Sequence, residues 1–528
     1  MNREHKLNLK ELKKYFINSN NKKECLDIFS QIIQEGIEFK TNSKNSKSVL
    51  KYKEQEGIMK DLLEPIPIKS KDIRKVIKEC KKKIIDGSVN FSSEDFLAFP
   101  DSGNSTAAMC GHLLYGMLNQ NLINSIHCSP TATFVEIAVI NWLRDIIGYK
   151  VRKRQKDIID VGGINVPGGT LANTVALLLA RERILPKTMQ KGLIKTNKPL
   201  KMFIPEGIGH YTSKAAMAWL GIGTENIVEV KTTKDFTIDK NDLINKIEYS
   251  KKDSIPFAVI AYAGDSRTMA IDDFVGLSKI AKKYKIWFHI DACHGASLCF
   301  SNKLKYKIKG INLADSVTLD PHKVLFTPYT LSYLLIKNPN DIKPVSGISD
   351  LITKEKYSFG QITPFLGSRS FNSLKLWFLI KNLGKKNIGY LIEKRHEMVK
   401  YFASLVEKEG DFYLMNNIVI NSAAYIYVPK ELKEKLKINS PKKYTDLINE
   451  LNLRIQKRMF REGQFYVHTF KLNDFKNVLG TGSDKIYQMQ RLMLGNPLTT
   501  KKNLQNLLKY SKRIAEEEWR KLKRTSKK

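Results

Sequence analysis

Between about residue 100 and residue 380, short apolar runs alternate with longer segments of helical periodicity. The apolar runs are rich in β-branched and aromatic residues and are bounded by turn residues; they cover 202–207, 257–264 and 286–292. The helical patterns between them cover 172–185, 212–221 and 272–284. Strands that are apolar on both faces and alternate with helices predict an α/β fold with a largely parallel sheet. Such sheets bind ligands at the carboxyl ends of their strands.

The two flanks of this region have a different pattern. The first part of the chain contains short amphipathic helical patterns separated by polar stretches, and after about residue 385 a long helical pattern over 388–408 leads into a smaller mixed region. At 528 residues, the chain has the length of two to four domains. We predict an N-terminal helical region (1–97), a large domain (98–385) and a small C-terminal α+β domain (386–528).

The chain is strongly basic, with a net charge of +36 from 89 Lys and Arg against 53 Asp and Glu. Clustered basic residues bind phosphate backbones and anionic surfaces, which makes nucleic acid one interpretation. However, the lysines lie all along the chain, and it has no zinc-finger spacing, RNP-like aromatic motif or Gly/Arg tract. We therefore predict no nucleic-acid partner.

Cysteine usage and hydropathy indicate the compartment. The six cysteines are scattered without a CxxC pair or zinc-ligand spacing, so we predict free thiols in a reducing compartment and no metal site. The N-terminus has basic residues but lacks the apolar segment of a secretory signal. No window approaches the ~20 apolar residues that a membrane span needs. These features predict a cytoplasmic protein without membrane association.

The most specific stretch of the sequence runs from HIDACHGAS (289–297) to ADSVTLDPHKVLFTPY (314–329). It places a carboxylate, Asp291, at the end of a predicted strand and an amine, Lys323, directly after Asp-Pro-His. This pair suits pyridoxal 5'-phosphate (PLP). The aldehyde of PLP is held by a lysine as an imine, and a carboxylate keeps its pyridine nitrogen protonated so that the ring can accept electrons released at Cα.

This stretch resembles the group II PLP-dependent amino-acid decarboxylases, which include the aromatic-amino-acid, histidine and glutamate decarboxylases. Their usual pattern is H-V-D-A-A-x-G-G, then A-D-S, then (D/N)-P-H-K, and the chain has HIDACHGA, ADS and DPHK in that order. The resemblance implies the fold of the type I PLP-dependent transferases, a Schiff base on Lys323 and Asp291 on the pyridinium nitrogen. It also implies decarboxylation of an L-amino acid to the amine and CO2, and a homodimer clasped by the N-terminal region.

Other family motifs follow in order. PGGTLAN (167–173) resembles S-G-G-T-x-A-N, which implies Gly169 and Thr170 at the cofactor phosphate; a glycine-rich turn before a helix is suited to that anion. His210 resembles the strand-end histidine that contacts the ring, and His322 resembles a residue near the phosphate. Arg369 matches the first arginine of S-R-R-F-R and is expected to brace the wall of the site.

Several positions depart from the family pattern. AGDSRTMAIDD (263–273) resembles G-T-T-x-x-G-A-I-D, with Asp265 and Met269 as replacements, while Ser266 keeps a hydroxyl at the cofactor. Asp320 stands where some relatives have Asn. Since an uncompensated carboxylate would repel a phosphate, Asp320 is expected to be turned or hydrogen-bonded away from it.

The identity of the substrate and of the proton donor stays open. Tyr357, in the stretch 346–364, is a candidate donor, although it is out of register with the family's tyrosine. Asp101 or Ser102 either contacts the substrate, favouring a cationic or hydroxylated side chain, or forms a surface turn. His294 either contacts the substrate or cofactor or is a structural histidine.

Three alternative functions remain on this scaffold. Two are enzymes: another PLP-dependent carbon–carbon lyase, and a decarboxylase that uses oxygen and forms an aldehyde. The third is a non-catalytic binding or regulatory protein with the PLP fold. Retention of Lys323, Asp291 and His210 together argues against the non-catalytic alternative.

Overall fold

The protein is described here by a computed structural model that covers residues 9–41, 49–193, 197–346, 355–363, 365–438 and 442–525. Its strands are β1 Gly163–Val166, β2 Leu200–Pro205, β3 Ile227–Val230, β4 Ile255–Tyr262, β5 Trp287–Asp291, β6 Ser316–Leu319, β7 Ser332–Ile336, β8 Phe412–Leu414, β9 Ser422–Tyr427, β10 His468–Asn473 and β11 Ile486–Met493. Its helices are α1 Leu9–Leu12, α2 Lys22–Thr41, α3 Gln55–Leu62, α4 Ile73–Lys83, α5 Thr106–Leu118, α6 Ala132–Ile147, α7 Gly169–Ile184, α8 Thr188–Lys191, α9 Tyr211–Trp219, α10 Lys240–Ser250, α11 Phe274–Tyr284, α12 Pro321–Val324, α13 Ser373–Lys408, α14 Lys430–Ile438, α15 Lys442–Glu462 and α16 Lys501–Thr525.

The central sheet has seven strands in the order β1-β7-β6-β5-β4-β2-β3. Strands β3, β2, β4, β5 and β6 are mutually parallel, while β7 runs antiparallel to both of its neighbours. At the end of β5, Asp291 pairs with Tyr262 of β4 and with Thr318 of β6. The carboxyl ends of these strands therefore meet at one edge. The predicted α/β fold with a mostly parallel sheet is confirmed.

Helix boundaries follow local chemistry. Helix α10 is capped by Asp239, which accepts from the amide of Asn241 at 2.8 Å, and α11 is capped by Asp273, which accepts from that of Gly276 at 3.0 Å. The pattern over 388–408 belongs to a longer element that begins at Ser373. Gly384 interrupts this element with φ +67°. The predicted helical pattern over 388–408 therefore corresponds to the part of the element that follows this kink. Within the described ranges, no helix combines the length and the apolar character needed to cross a bilayer.

A second, antiparallel sheet of four strands has the order β10-β11-β9-β8. The segment around Leu97 joins this sheet, because its amide donates to the carbonyl of Tyr466 and its carbonyl accepts from the amide of Met493, both at 2.8 Å. The end of the N-terminal region is thus tied to the C-terminal sheet. The predicted boundaries after residues 97 and 385 stay predictions, and the kink at Gly384 lies beside the second of them.

The packing of α13 gives a test of the fold. A Cβ on Gly389 would lie 2.4 Å from the carbonyl oxygen of Phe300, so we expect Gly389→Ala to force the backbone apart and destabilise the protein by about 1–3 kcal/mol. Gly36 in α2 is the matched control, because its Cβ would meet nothing within 4 Å. Gly36→Ala should stabilise its helix by about 0.5–1 kcal/mol. Thermal unfolding measures both; an unchanged melting temperature for Gly389→Ala would contradict this packing.

Candidate active site

One cavity at the carboxyl edge of the seven-stranded sheet brings the predicted site residues together. It is lined by Gly169, Thr170, His210, Ser266, Asp291, His322 and Lys323, all of which the sequence singles out. They come from five chain segments: the start of α7, the residue before α9, the loop after β4, the end of β5 and helix α12. The parallel strands therefore bring together side chains from distant parts of the chain.

Asp291 is an almost fully buried carboxylate that is bonded only to neutral donors. Its Oδ2 accepts from Nδ2 of Asn173 at 2.8 Å, and its Oδ1 accepts from the amide of Cys293 at 3.2 Å. Burial alone would raise the pKa of Asp291, but its interactions with the imidazole of His210 and the ammonium of Lys323 lower this pKa below its ordinary value. Asp291 is therefore an anion that faces a cavity and can accept a cationic N–H group.

The amide of Asn173 fixes the orientation of two site residues. Besides Asp291, its Nδ2 donates to Oγ1 of Thr212 at 3.1 Å, and that hydroxyl lies 3.0 Å from Nδ1 of His210. The Thr212 hydroxyl therefore donates to Nδ1, which leaves the proton of a neutral His210 on Nε2. Burial lowers the pKa of His210, which favours this neutral form. Asn173 lies within the motif PGGTLAN, yet nothing in the sequence pattern singles it out.

Lys323 forms an ion pair inside the cavity. Its Nζ lies 2.7 Å from Oδ2 of Asp320, and Oδ1 of Asp320 accepts from the Ser332 hydroxyl at 2.5 Å. Burial lowers the pKa of Lys323, but Asp320 outweighs it and holds the pKa well above the ordinary value. Burial would raise the pKa of Asp320, but Lys323 and His322 hold it at about 2. Both groups are therefore charged.

The position of Asp320 corrects one expectation. It is hydrogen-bonded, as expected, but it is not turned away from the start of α7, because Oδ2 lies 3.0 Å from the position that a Cβ of Gly169 would take. Asp320 also lines the cavity. The reason is its pairing with Lys323, which holds the carboxylate inward.

The start of α7 forms a cradle suited to a small anion. Gly168 has φ +104° and caps the helix without a side-chain hydrogen bond, so the first amides of α7 are free of helix partners. A Cβ on Gly169 would lie 2.8 Å from Sγ of Cys293, so only glycine leaves the cradle intact. Such a helix start binds phosphate groups. An anion cradle, an amine and a buried carboxylate in one cavity fit the parts of PLP.

Arg491, which the sequence reasoning missed, does not line the cavity but contacts the loop that carries Ser266. It belongs to β11, is only 6% exposed, and donates to the carbonyl of Ser266 and, at 3.2 Å, to that of Ala98. Burial lowers its pKa to about 10, so it stays charged at neutral pH. It forms no salt bridge with any residue in the described ranges. Its position within QRLMLGNPLTT, a stretch that resembles the family, was the available signal.

Four other residues are candidates for the proton donor or for substrate contacts, and the structure shows where each of them lies. The Tyr357 hydroxyl donates to the carbonyl of Gln155 at 3.1 Å and lies outside the cavity lining, while residues 347–354 of its stretch fall outside the described residues. Asp101 is hydrogen-bonded to Tyr329 and does not line the cavity, and neither does Ser102. His294 does line it, and burial lowers its pKa to about 3.

Two further positions support the loops around the cavity. Arg369 is buried and pairs with Glu136 at 2.6 Å, in agreement with a bracing role. Asp265 accepts from the amides of Arg267 at 2.7 Å and Thr268 at 2.8 Å, so it stabilises the loop that carries Ser266. Met269 adopts φ +60°, a conformation that glycine adopts without strain.

The family model for the pyridoxal-dependent decarboxylase conserved domain matches residues 56–428. The chain belongs to this family. An aspartate 1-decarboxylase of Aliivibrio fischeri is 30% identical over 457 residues, covering 82% of this chain and 81% of that protein. An acidic amino acid decarboxylase of Xenopus tropicalis is 27% identical over 475 residues, covering 88% and 90%. The crystal structure of mouse CSAD superposes with a TM-score of 0.82 at 24% identity, covering 93% and 98%.

Family membership confirms the predicted activity and cofactor. The protein is a PLP-dependent carboxy-lyase that decarboxylates an amino acid. The structural similarity confirms the predicted PLP-dependent transferase fold, with its large α/β sheet and its small antiparallel C-terminal sheet. Enzymatic activity also excludes the non-catalytic alternative.

Proposed function

We propose that Lys323 carries PLP as a Schiff base, that Asp291 binds the pyridine nitrogen and that His210 contacts the ring. Gly169, Thr170, Ser266 and His322 hold the phosphate. The observation that carries this assignment is the cavity in which a buried carboxylate, a half-buried ammonium and an uncapped helix start lie together. This charge pattern matches the three polar ends of the cofactor.

Asp291 and His210 then have different roles in the proposed reaction. Bound PLP supplies an electron sink for the pair released when the bond between Cα and the carboxylate breaks. Asp291, ionised and held by Asn173, keeps a proton on the nitrogen that it binds. His210 carries its proton on Nε2, the nitrogen that does not face Thr212, and can donate it there.

The substrate that we propose is an acidic L-amino acid. Two of the relatives, at 30% and 27% identity, are named for aspartate and for acidic amino acids. Arg491 supports this class, because its buried guanidinium forms no salt bridge with a carboxylate of the described residues and lies against the loop that carries Ser266, a position that favours an anionic ligand. Asp101, which would favour a cationic side chain, is instead covered by its bond to Tyr329. We propose that Arg491 binds the side-chain carboxylate of the substrate beside the Ser266 loop.

We also propose a cytoplasmic homodimer. The apolar side chains that the monomer leaves exposed concentrate on the N-terminal region and on α5; they include Leu63, Ile66 and Ile68, and Leu113, Leu114 and Met117. Ile66 and Ile68 are 88% and 97% exposed, and such patches are usually covered by a partner. All six cysteines are free thiols, which supports a reducing compartment.

Replacement of the lysine tests the catalytic assignment. We expect Lys323→Ala to abolish both the visible imine absorbance of the protein with PLP and the release of CO2, because no other amine lines the cavity among the described residues. Lys214→Ala is the matched control, since Lys214 is exposed on α9 and should leave both signals unchanged. Turnover by Lys323→Ala would contradict the assignment.

Substrate choice is tested by measuring CO2 release with the twenty amino acids, cysteine sulfinate, ornithine and diaminobutyrate. We expect turnover of aspartate or cysteine sulfinate, and a KM about tenfold to a hundredfold higher for Arg491→Gln, since a hydrogen bond to a charged group contributes about 1.5–3 kcal/mol. Turnover of ornithine or diaminobutyrate alone would contradict the acidic substrate. Peroxide and an aldehyde in place of the amine would reveal the oxygen-using reaction.

The dimer is tested by placing a charge on the exposed apolar surface. We expect Leu113→Glu to shift the protein toward a monomer in analytical ultracentrifugation, because a buried unpaired carboxylate opposes association. Tyr249→Glu is the control, since Tyr249 is a large side chain that is 71% exposed on a different helix, α10. A wild-type protein that sediments as a monomer at micromolar concentration would contradict the proposal.

A further inference from the structure

Asp320 is the only carboxylate that contacts Lys323 among the described residues. It is fully buried, 2.7 Å from Nζ, and its second oxygen is fixed by Ser332. His322, the neighbouring cation candidate, has Nε2 3.9 Å from the same carboxylate, while its Nδ1 donates to the carbonyl of Leu331 at 2.7 Å. Lys323 is therefore the nearer counter-charge of Asp320.

This ion pair opposes the bond that Lys323 must form with the cofactor. An ammonium has no lone pair, so it must release a proton before its nitrogen attacks an aldehyde carbon. The attack forms a C–N bond, and loss of the former aldehyde oxygen as water then leaves the imine; the proton from the ammonium goes to solvent. A buried carboxylate that stabilises the ammonium makes the first of these steps harder.

We propose that Asp320 is the counter-ion that stores Lys323 as an ammonium in the cofactor-free site, so that loading of PLP accelerates as the pH rises. The proposal rests on the assignment of Lys323 as the Schiff-base lysine. Asp320 acts through Lys323 and is therefore a positioning residue. Its role differs from that of Asp291, which is held by Asn173 and faces the cavity as an acceptor.

Other ionisable groups around Lys323 do not replace Asp320. Those whose charges act on Lys323 from neighbouring elements, or on which its charge acts, are Asp291, Cys293, His294, His210, Asp101 and Tyr329. Burial keeps His294 neutral near pH 7 by lowering its pKa to about 3, and it raises the pKa of the Cys293 thiol. Asp291 is a second anion, but its partners are Asn173 and Cys293 rather than Lys323.

The direction of the pH effect follows from the charges. Asp320 raises the pKa of Lys323, so the amine fraction at neutral pH is small and grows about tenfold for each pH unit below that pKa. Asp320→Asn removes the charge that raises the pKa of Lys323 most, so that the effect of burial, which lowers this pKa, is opposed mainly by Asp291. We therefore expect Asp320→Asn to form the imine with PLP faster at pH 7, by about tenfold or more. The dependence of this rate on pH should be displaced to lower pH.

The experiment measures the rate at which imine absorbance grows when full-length, cofactor-free protein is mixed with PLP across a range of pH. The same series with pyridoxal, which lacks the phosphate, separates two effects of Asp320. Acceleration of Asp320→Asn with both aldehydes supports the proposal. Acceleration with PLP alone would mean that Asp320 merely repels the phosphate, and would overturn it, as would an unshifted profile.

Three further variants control the experiment. Asp320→Glu keeps the charge and should stay close to the wild type, whereas Asp341→Asn removes a carboxylate that pairs with Arg183 outside the cavity and should change nothing. Ser332→Ala removes the hydroxyl that donates a hydrogen bond to Asp320 and so leaves more of the negative charge for Lys323. This variant is informative even if Asp320→Asn fails to fold. We expect Ser332→Ala to displace the pH dependence of imine formation to higher pH. An unchanged or faster rate of imine formation would overturn the proposal. Imine formation by Lys323→Ala would instead contradict the Schiff-base assignment.

Discussion

The buried carboxylate of Asp291 is the constraint on which the site depends, because an ionised group out of water is costly unless it is hydrogen-bonded. Its charge is met by an amide side chain and a backbone amide, not by a cation in direct contact. The carboxylate therefore stays ionised while keeping its negative charge available to a ligand. A cationic partner in direct contact would have neutralised it.

The amide side chain of Asn173 is oriented by hydrogen bonds from residues of the central sheet. The indole of Trp287 donates to Oγ of Ser316 at 2.8 Å, and the same hydroxyl lies 2.8 Å from Nδ1 of His289. The Ser316 hydroxyl therefore donates to Nδ1, and Nε2 of His289 donates to Oδ1 of Asn173 at 3.1 Å. Burial lowers the pKa of His289 to about 4, so it carries one proton and the chain of bonds has a single direction. The packing of β5 on β6 thus orients the site.

Local pattern predicted what local chemistry determines. Apolar runs located β2, β4 and β5. The motifs that resemble the family pointed to Asp291, Lys323 and the start of α7, and these line one cavity because parallel strands bring their carboxyl ends to the same edge. Arg491 was not identifiable in this way, since it enters from a separate antiparallel sheet, and the cover of Tyr329 over Asp101 is likewise a tertiary contact. Periodicity carries no information on such contacts between distant segments.

The distribution of charge around the cavity is asymmetric, and this asymmetry bears on how an amino acid would lie in it. Asp291 and Asp320 line the cavity near the lysine, whereas Arg491 contacts the loop that carries Ser266 from outside the lining. The ammonium of an amino acid is attracted to the first group and its carboxylate to the second. Under the proposed assignment, these charged groups hold the amino group and the side-chain carboxylate of an acidic amino acid in one orientation before the reaction. The same buried charges that the fold must stabilise therefore select the orientation of the substrate.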